Sequence, residues 1–212
     1  MKKSLFLGAA LIAATIGTAF TLGSDPESLA IGEKAPMTDY KMMDIQGEAQ
    51  TLARLAGEEG LCVIFSCNTC PFVVGREGKS EGWEGRYNEV YKMAQEQNIG
   101  VVLVNSNEAK REGVDSMKEM QMRAKTQGYK MPYVVDKDHA LADAFGARTT
   151  PHVYLFDADM TLVYKGAIDD NVDAAKDVKE PWLINAMRAV ANDENIEPNS
   201  TKPIGCSIKR VQ

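Results

Sequence analysis

The sequence predicts an α/β fold: a central mixed β-sheet with helices on both faces. Three observations carry this. Short β-rich runs alternate with helical patterns from residue 61 to residue 145, and such alternation implies parallel strands joined by crossovers that cover the sheet. The runs at 61–66 and 99–105 are apolar without alternation, as strands buried on both faces are. Beyond Pro151, runs at 152–157 and 161–165 are separated only by a tight turn at Ala158-Asp159. They read as an antiparallel hairpin, which makes the sheet mixed.

Each element has its own signal. Residues 24–36 are a polar lead-in ending in Gly32-Glu33-Lys34-Ala35-Pro36, and residues 37–52 read as a short hairpin turning at Asp44-Ile45-Gln46-Gly47. One helical turn is expected over 52–57, then the strand over 61–66. The stretch after Pro71 is helical in character but carries Gly75, Gly78, Gly82 and Gly85. Each glycine costs up to about 1 kcal/mol relative to Ala inside a helix. The expectation is a short helix after Pro71, a loop near 75–85, and a second helix from Trp83 or Arg86. A helix over 112–127 places Met117, Met120 and Ala124 on one face and stops at Gly128. A strand over 131–135 and a short helix within 136–145, closed by Gly146, follow. The last helix is expected over 176–191, with Trp182, Leu183, Ala186, Met187 and Val190 at helical spacing.

Three segments result. Residues 31–192 form the folded domain, and residues 193–212, polar and carrying Cys206, read as a tail with little apolar surface to hold it down. Residues 1–23 read as an export signal or a membrane anchor. Lys2 and Lys3 precede the 18 uncharged residues from 5 to 22, the charged and apolar regions of a signal peptide. That length also lies at the lower edge of a membrane span. Small residues at Gly17/Ala19 and Ser28/Ala30 offer two cleavage sites. Either outcome puts the domain outside the cytoplasm, in the periplasm or an equivalent compartment.

Of the 212 residues, 44% are hydrophobic and 25% charged, the composition of a soluble globular protein. A net charge of −6 argues against nucleic acid and against a polybasic membrane patch. Four cysteines are too few for a disulfide scaffold.

Two of those cysteines carry the chemistry. Cys67-Asn68-Thr69-Cys70 directly follows the strand over 61–66 and precedes Pro71. A strand that delivers two sulfurs to a helix start is the geometry of a redox dithiol, because unpaired N–H groups there favour thiolate over thiol. The other use of C-x-x-C, half of a zinc site, needs a second Cys/His pair. His139 and His152 are scattered, and read as surface or loop residues. No metal and no organic cofactor is expected. Cys62 sits mid-strand as a small apolar residue. Cys206, in Gly205-Cys206-Ser207, is either a spare thiol or a third redox cysteine that relays to the 67–70 pair. Asp169-x-Asn171-x-Asp173 has the oxygen spacing of a calcium loop, but the sixth position is Ala174 where glycine is needed. Capping of the last helix accounts for these acids better.

Several stretches together resemble the thioredoxin-like redoxins, in the branch grouped with alkyl hydroperoxide reductase and thiol-specific antioxidant proteins. They are Gly32-x-x-Ala35-Pro36, Phe65-Ser66-Cys67-Asn68-Thr69-Cys70-Pro71-Phe72-Val73 and Thr149-Thr150-Pro151. Val104-Asn105-Ser106-Asn107, residues 164–170 and residues 205–209 add to the match. The second stretch resembles the C-N-x-C-P run of an exported subgroup. The resemblance implies a thioredoxin-like fold, with Cys67 as attacking and Cys70 as resolving thiol. It further implies a cis Pro151 against the pair, and a Thr150 backbone that binds an extended substrate strand. Pro71 leaves the order of the thiols open. It pushes Cys70 out of the α region, so Cys70 can be the N-cap of the helix that Pro71 begins.

The chain departs from the family's peroxide-reducing members, which carry P-x-x-x-T-x-x-C. Three and seven residues before Cys67 stand Ile64 and Gly60; before Cys70 stand Cys67 and Val63. The expectation is therefore thiol–disulfide exchange with protein dithiols and disulfides. A thiol peroxidase using Cys206 as resolver, and a binding module with a structural disulfide, are the alternatives.

Overall fold

The structure is a computed structural model that describes residues 27–211. The expected leader over 1–23 lies outside the described residues. Among the described residues no helix is long and apolar enough to cross a membrane.

The chain opens with a hairpin of β1 (Met42–Asp44) and β2 (Ala49–Gln50). Asp44 builds its turn, Oδ1 accepting the N–H groups of Gln46 at 2.9 Å and Glu48 at 2.8 Å. Helix α1 (Leu52–Leu55) starts at Thr51, whose hydroxyl caps the Arg54 N–H. Strand β3 (Gly60–Phe65), the short α2 (Pro71–Val74) and α3 (Tyr87–Glu96) follow. Next come β4 (Ile99–Asn105), α4 (Met117–Gln127), β5 (Tyr133–Val135) and α5 (Ala140–Phe145). The remaining elements are β6 (Thr149–Thr150), β7 (His152–Phe156), β8 (Leu162–Gly166), α6 (Trp182–Ala191) and β9 (Cys206–Ser207).

Seven strands form one sheet in the order β2-β1-β5-β4-β3-β7-β8. The central pairs β3–β4 and β4–β5 are parallel, and the flanking pairs are antiparallel. Successive side chains of β3 point to opposite faces, as the period of two requires. Cys62 and Ile64 join a core with Tyr87, Val90, Leu183 and Met187 from α3 and α6. Leu61, Val63 and Phe65 join the other core, with Leu52 of α1 and Leu141 and Phe145 of α5. Both faces are covered, and the fold is the thioredoxin-like α/β fold the sequence predicts.

Three elements differ from expectation. Helix α4 begins at Met117 rather than at 112, because Ser116 caps it and residues 108–116 wrap around the buried Asp115. Helix α6 begins at Trp182, because Asp170 Oδ1 takes the N–H groups of Lys179 at 3.0 Å and Glu180 at 3.1 Å. Such side-chain bonds offer the backbone an alternative to helix. The segment after residue 192 is also not a loose tail: it packs along the domain and ends in β9, paired antiparallel with β6. Thr201 ties it to Tyr164 and Ala167, and Ile208 is buried in the second core.

Candidate active site

Strand β3 aims the chain at the site, and Ser66 continues it by donating its N–H to Val104 O at 2.9 Å. Pro71 then sets the geometry. Cys70 is extended at φ −67°, ψ 124° and is the N-cap of α2, with Pro71 as the first helical residue. The C-x-x-C meets the loop after Arg148 through Thr150. There the Thr150–Pro151 peptide is cis, as the resemblance implies.

Thr150 touches both sulfurs. Its Oγ1 lies 3.2 Å from Cys67 Sγ, and its carbonyl accepts from Cys70 Sγ at 2.9 Å. Cys206 completes the cluster by donating its N–H to Cys70 Sγ at 3.3 Å. All four cysteines are free thiols. Cys67 and Cys70 are each only 3% exposed, whereas Cys206 is half-buried.

The two thiols of the motif are not equivalent. The neighbouring Cys67 thiol holds the Cys70 thiol below its ordinary value, against the cost of burial. The Cys206 thiol and backbone and the Phe72 N–H add to this. The same contact with Cys70, together with burial, pushes Cys67 up, and Asp115 adds to the rise. The Thr150 carbonyl favours a proton on Cys70, against the groups that favour its thiolate, and the balance lowers Cys70 while Cys67 is raised. Burial, then the neighbouring Cys70, raises the Cys206 thiol.

A buried polar network fixes the loop between the two cysteines. Asp115, fully buried, accepts from the Asn68 N–H at 2.9 Å, Asn105 Nδ2 at 2.8 Å and Asn107 Nδ2 at 3.0 Å. Tyr133 Oη donates to Asn68 Oδ1 at 3.0 Å and accepts from Asn105 Nδ2 at 3.0 Å. Asp115 gave no signal in the sequence: within Arg111-Glu112-Gly113-Val114-Asp115 it reads as a solvated loop acid. Val104-Asn105-Ser106-Asn107 did stand out, and supplies two of its donors.

Cys67, Cys70, Thr150, Pro151 and Cys206 thus come together. Cys62 does not; it is fully buried on β3, and burial pushes its thiol well up. His152 is a correction: it is buried on β7, not at the surface. Burial, then Lys165 and Arg148, lowers it to about 3, so it is neutral and no general base. Asp169 is engaged by Arg86 Nη1 at 2.7 Å and Trp83 Nε1 at 2.8 Å. Among the described residues no group of three or more His, Cys, Asp or Glu is placed to hold a metal ion.

The sequence profile of the AhpC/TSA family matches residues 31–165. No curated protein matches the chain. Among solved structures, a hypothetical protein from Sinorhizobium meliloti 1021 is 30% identical. The match covers 87% of this chain and 97% of that one, with a TM-score of 0.76. Peroxidoxin BcpB from Mycobacterium tuberculosis is 14% identical, with 75% and 96% covered and a TM-score of 0.54. The thioredoxin domain of a thiol-disulfide oxidoreductase from Bacteroides vulgatus is 17% identical, with 66% and 90% covered and a TM-score of 0.51. The last two share the fold.

Proposed function

The chain belongs to the AhpC/TSA family, and we propose that within it the protein is an exported thiol–disulfide oxidoreductase that cycles Cys67 and Cys70 between dithiol and disulfide. One observation carries the reading. Thr150 of the cis Thr150–Pro151 loop touches both sulfurs, and the position three residues before Cys70 is a second cysteine where peroxide-reducing relatives have threonine.

The lowered Cys70 thiol supports Cys70 as the attacking sulfur, the reverse of the order that the resemblance implies. Its thiolate attacks one sulfur of a substrate disulfide, and the other sulfur leaves as a thiolate. Cys67 gives up its proton to that leaving group and attacks Cys70 Sγ. The second substrate thiolate is expelled, and a Cys67–Cys70 disulfide remains. Substrate gains two electrons and the site loses two. No metal or organic cofactor enters. The partners are protein disulfides and dithiols. Lys2-Lys3 and the apolar run over 5–22 support work outside the cytoplasm, with that run either cleaved or kept as an anchor.

The test is turnover of hydrogen peroxide beside reduction of insulin disulfides, together with a redox titration. Disulfide exchange with a potential between about −270 and −120 mV fits the reading, whereas a structural disulfide sits below about −300 mV. Rapid peroxide consumption without disulfide exchange would make the protein a peroxidase instead.

A further inference from the structure

The face of Thr150 that the resemblance assigns to an extended substrate strand is already occupied, by the chain itself. Thr150 pairs with Cys206 and Thr149 with Ser207 in antiparallel register. The fit is close: a Cβ at Gly205 would stand 2.3 Å from Thr150 O and 2.7 Å from its carbonyl carbon. The strand is clamped on both sides of Cys206. On one side Thr201 donates its N–H to Lys165 O at 3.0 Å and its hydroxyl meets Tyr164 Oη at 2.9 Å. On the other, Ile208 donates to Arg148 O at 2.9 Å, Lys209 to Asn107 Oδ1 at 2.8 Å, and Arg210 Nη2 to Ala147 O at 2.6 Å. Cys206 is thus held against Cys70 and is the most exposed sulfur of the cluster.

We propose that the segment over 199–210 is a resident substrate strand, and that the oxidised site presents a Cys70–Cys206 disulfide to external dithiols. This deepens the dithiol reading above and rests on it. The step is an exchange within the chain. The Cys206 thiolate attacks Cys70 Sγ, the Cys67–Cys70 bond breaks as the Cys70–Cys206 bond forms, and Cys67 leaves and takes up the proton that Cys206 gave. No electron enters or leaves. An external dithiol then attacks Cys206, the reachable sulfur, and expels Cys70 as a thiolate. Its second sulfur attacks the first, releases Cys206 and departs as a disulfide. The dithiol loses two electrons and the site gains two.

Access favours this route over direct attack on the buried pair, because Cys67 and Cys70 are each 3% exposed and Cys206 is half-buried. Cys206 meets Cys70, not Cys67, so the relay partner is Cys70.

Three full-length variants test the relay. Cys67→Ser, oxidised with a mild thiol oxidant and mapped by peptide mass spectrometry, is expected to trap Cys70–Cys206 in most molecules. Cys70→Ser is expected to leave Cys206 alkylatable. Cys206→Ser is expected to form the Cys67–Cys70 disulfide and to be re-reduced by dithiothreitol at least tenfold more slowly than the parent. A free Cys206 in oxidised Cys67→Ser, or parental re-reduction of Cys206→Ser, overturns the relay while leaving the dithiol reading intact. Failure of the parent to form any disulfide removes the dithiol reading, and the relay with it.

Discussion

Asp115 Oδ1 accepts the backbone N–H of Asn68 at 2.9 Å, so a carboxylate sealed from solvent fixes the residue that follows the first active-site cysteine. The contact joins the loop before α4 to the C-x-x-C across the top of the sheet. Asp115→Ala leaves the Asn68 N–H and Asn107 Nδ2 without an acceptor, while Asn105 Nδ2 keeps Tyr133 Oη. Each unsatisfied buried donor costs about 1–3 kcal/mol. The variant is expected to lose at least about 2 kcal/mol of stability, read from the denaturant midpoint at constant slope. A midpoint within error of the parent would show that the network does not hold the loop.

The buried Arg86–Asp169 pair ties the start of α3 to the loop after β8. Removing one partner of such a pair leaves an uncompensated buried charge and typically costs about 3–5 kcal/mol. Asp169→Ala is expected to fall in that range, since Trp83 Nε1 loses its acceptor as well. Equilibrium unfolding checks it.

His152 sets a pH dependence. Its folded value is lowered from 6.5 to about 3, by burial first and by Lys165 and Arg148 after it. The unfolded chain therefore binds a proton between those values that the folded chain refuses. The effect is absent above pH 6.5 and grows as pH falls toward 3. Stability should drop by up to about 1.4 kcal/mol per pH unit in that window, on account of this one group. His152→Asn should flatten the slope relative to the parent, as measured by denaturant unfolding at pH 7 and pH 4.5. Parallel slopes in the two proteins would count against the assignment.

Gly205→Val should lift the resident strand, because any β-carbon there meets the Thr150 carbonyl. Cys70, 3% exposed in the parent, is then open to solvent. Its alkylation by iodoacetamide at neutral pH is expected to rise at least tenfold, with the helical circular dichroism signal unchanged. Unaltered alkylation would mean that the strand does not shield the pair.

The α/β architecture, the position of β4 and the glycine stops at Gly128 and Gly146 were all legible, because apolar periodicity and αL glycines are local signals. The C-x-x-C and the cis-proline loop were legible as motifs. What the sequence did not show depends on contacts across long separations. Asp115 looks like a loop acid until Asn68 and Asn105 are brought to it. His152 looks like a loop histidine until β7 is placed between β3 and β8. Pro71 makes Cys70 the N-cap of α2, the alternative that the sequence had left open. The segment after residue 192 is polar in composition, so nothing local announced that Thr201, Ile208 and Arg210 each find a partner on the domain.

The last strand also imposes a timetable. β9 follows every other element in the chain, and synthesis proceeds from the N-terminus. The large sheet can close and the cis-proline loop can meet Cys67 and Cys70 while residues 199–210 are still to come. Through that interval Cys70 has neither the hydrogen bond from the Cys206 N–H nor the strand that covers it. Until residues 199–210 dock, the cysteine pair is therefore open to wrong disulfides, and docking of that segment is the step that ends the exposure.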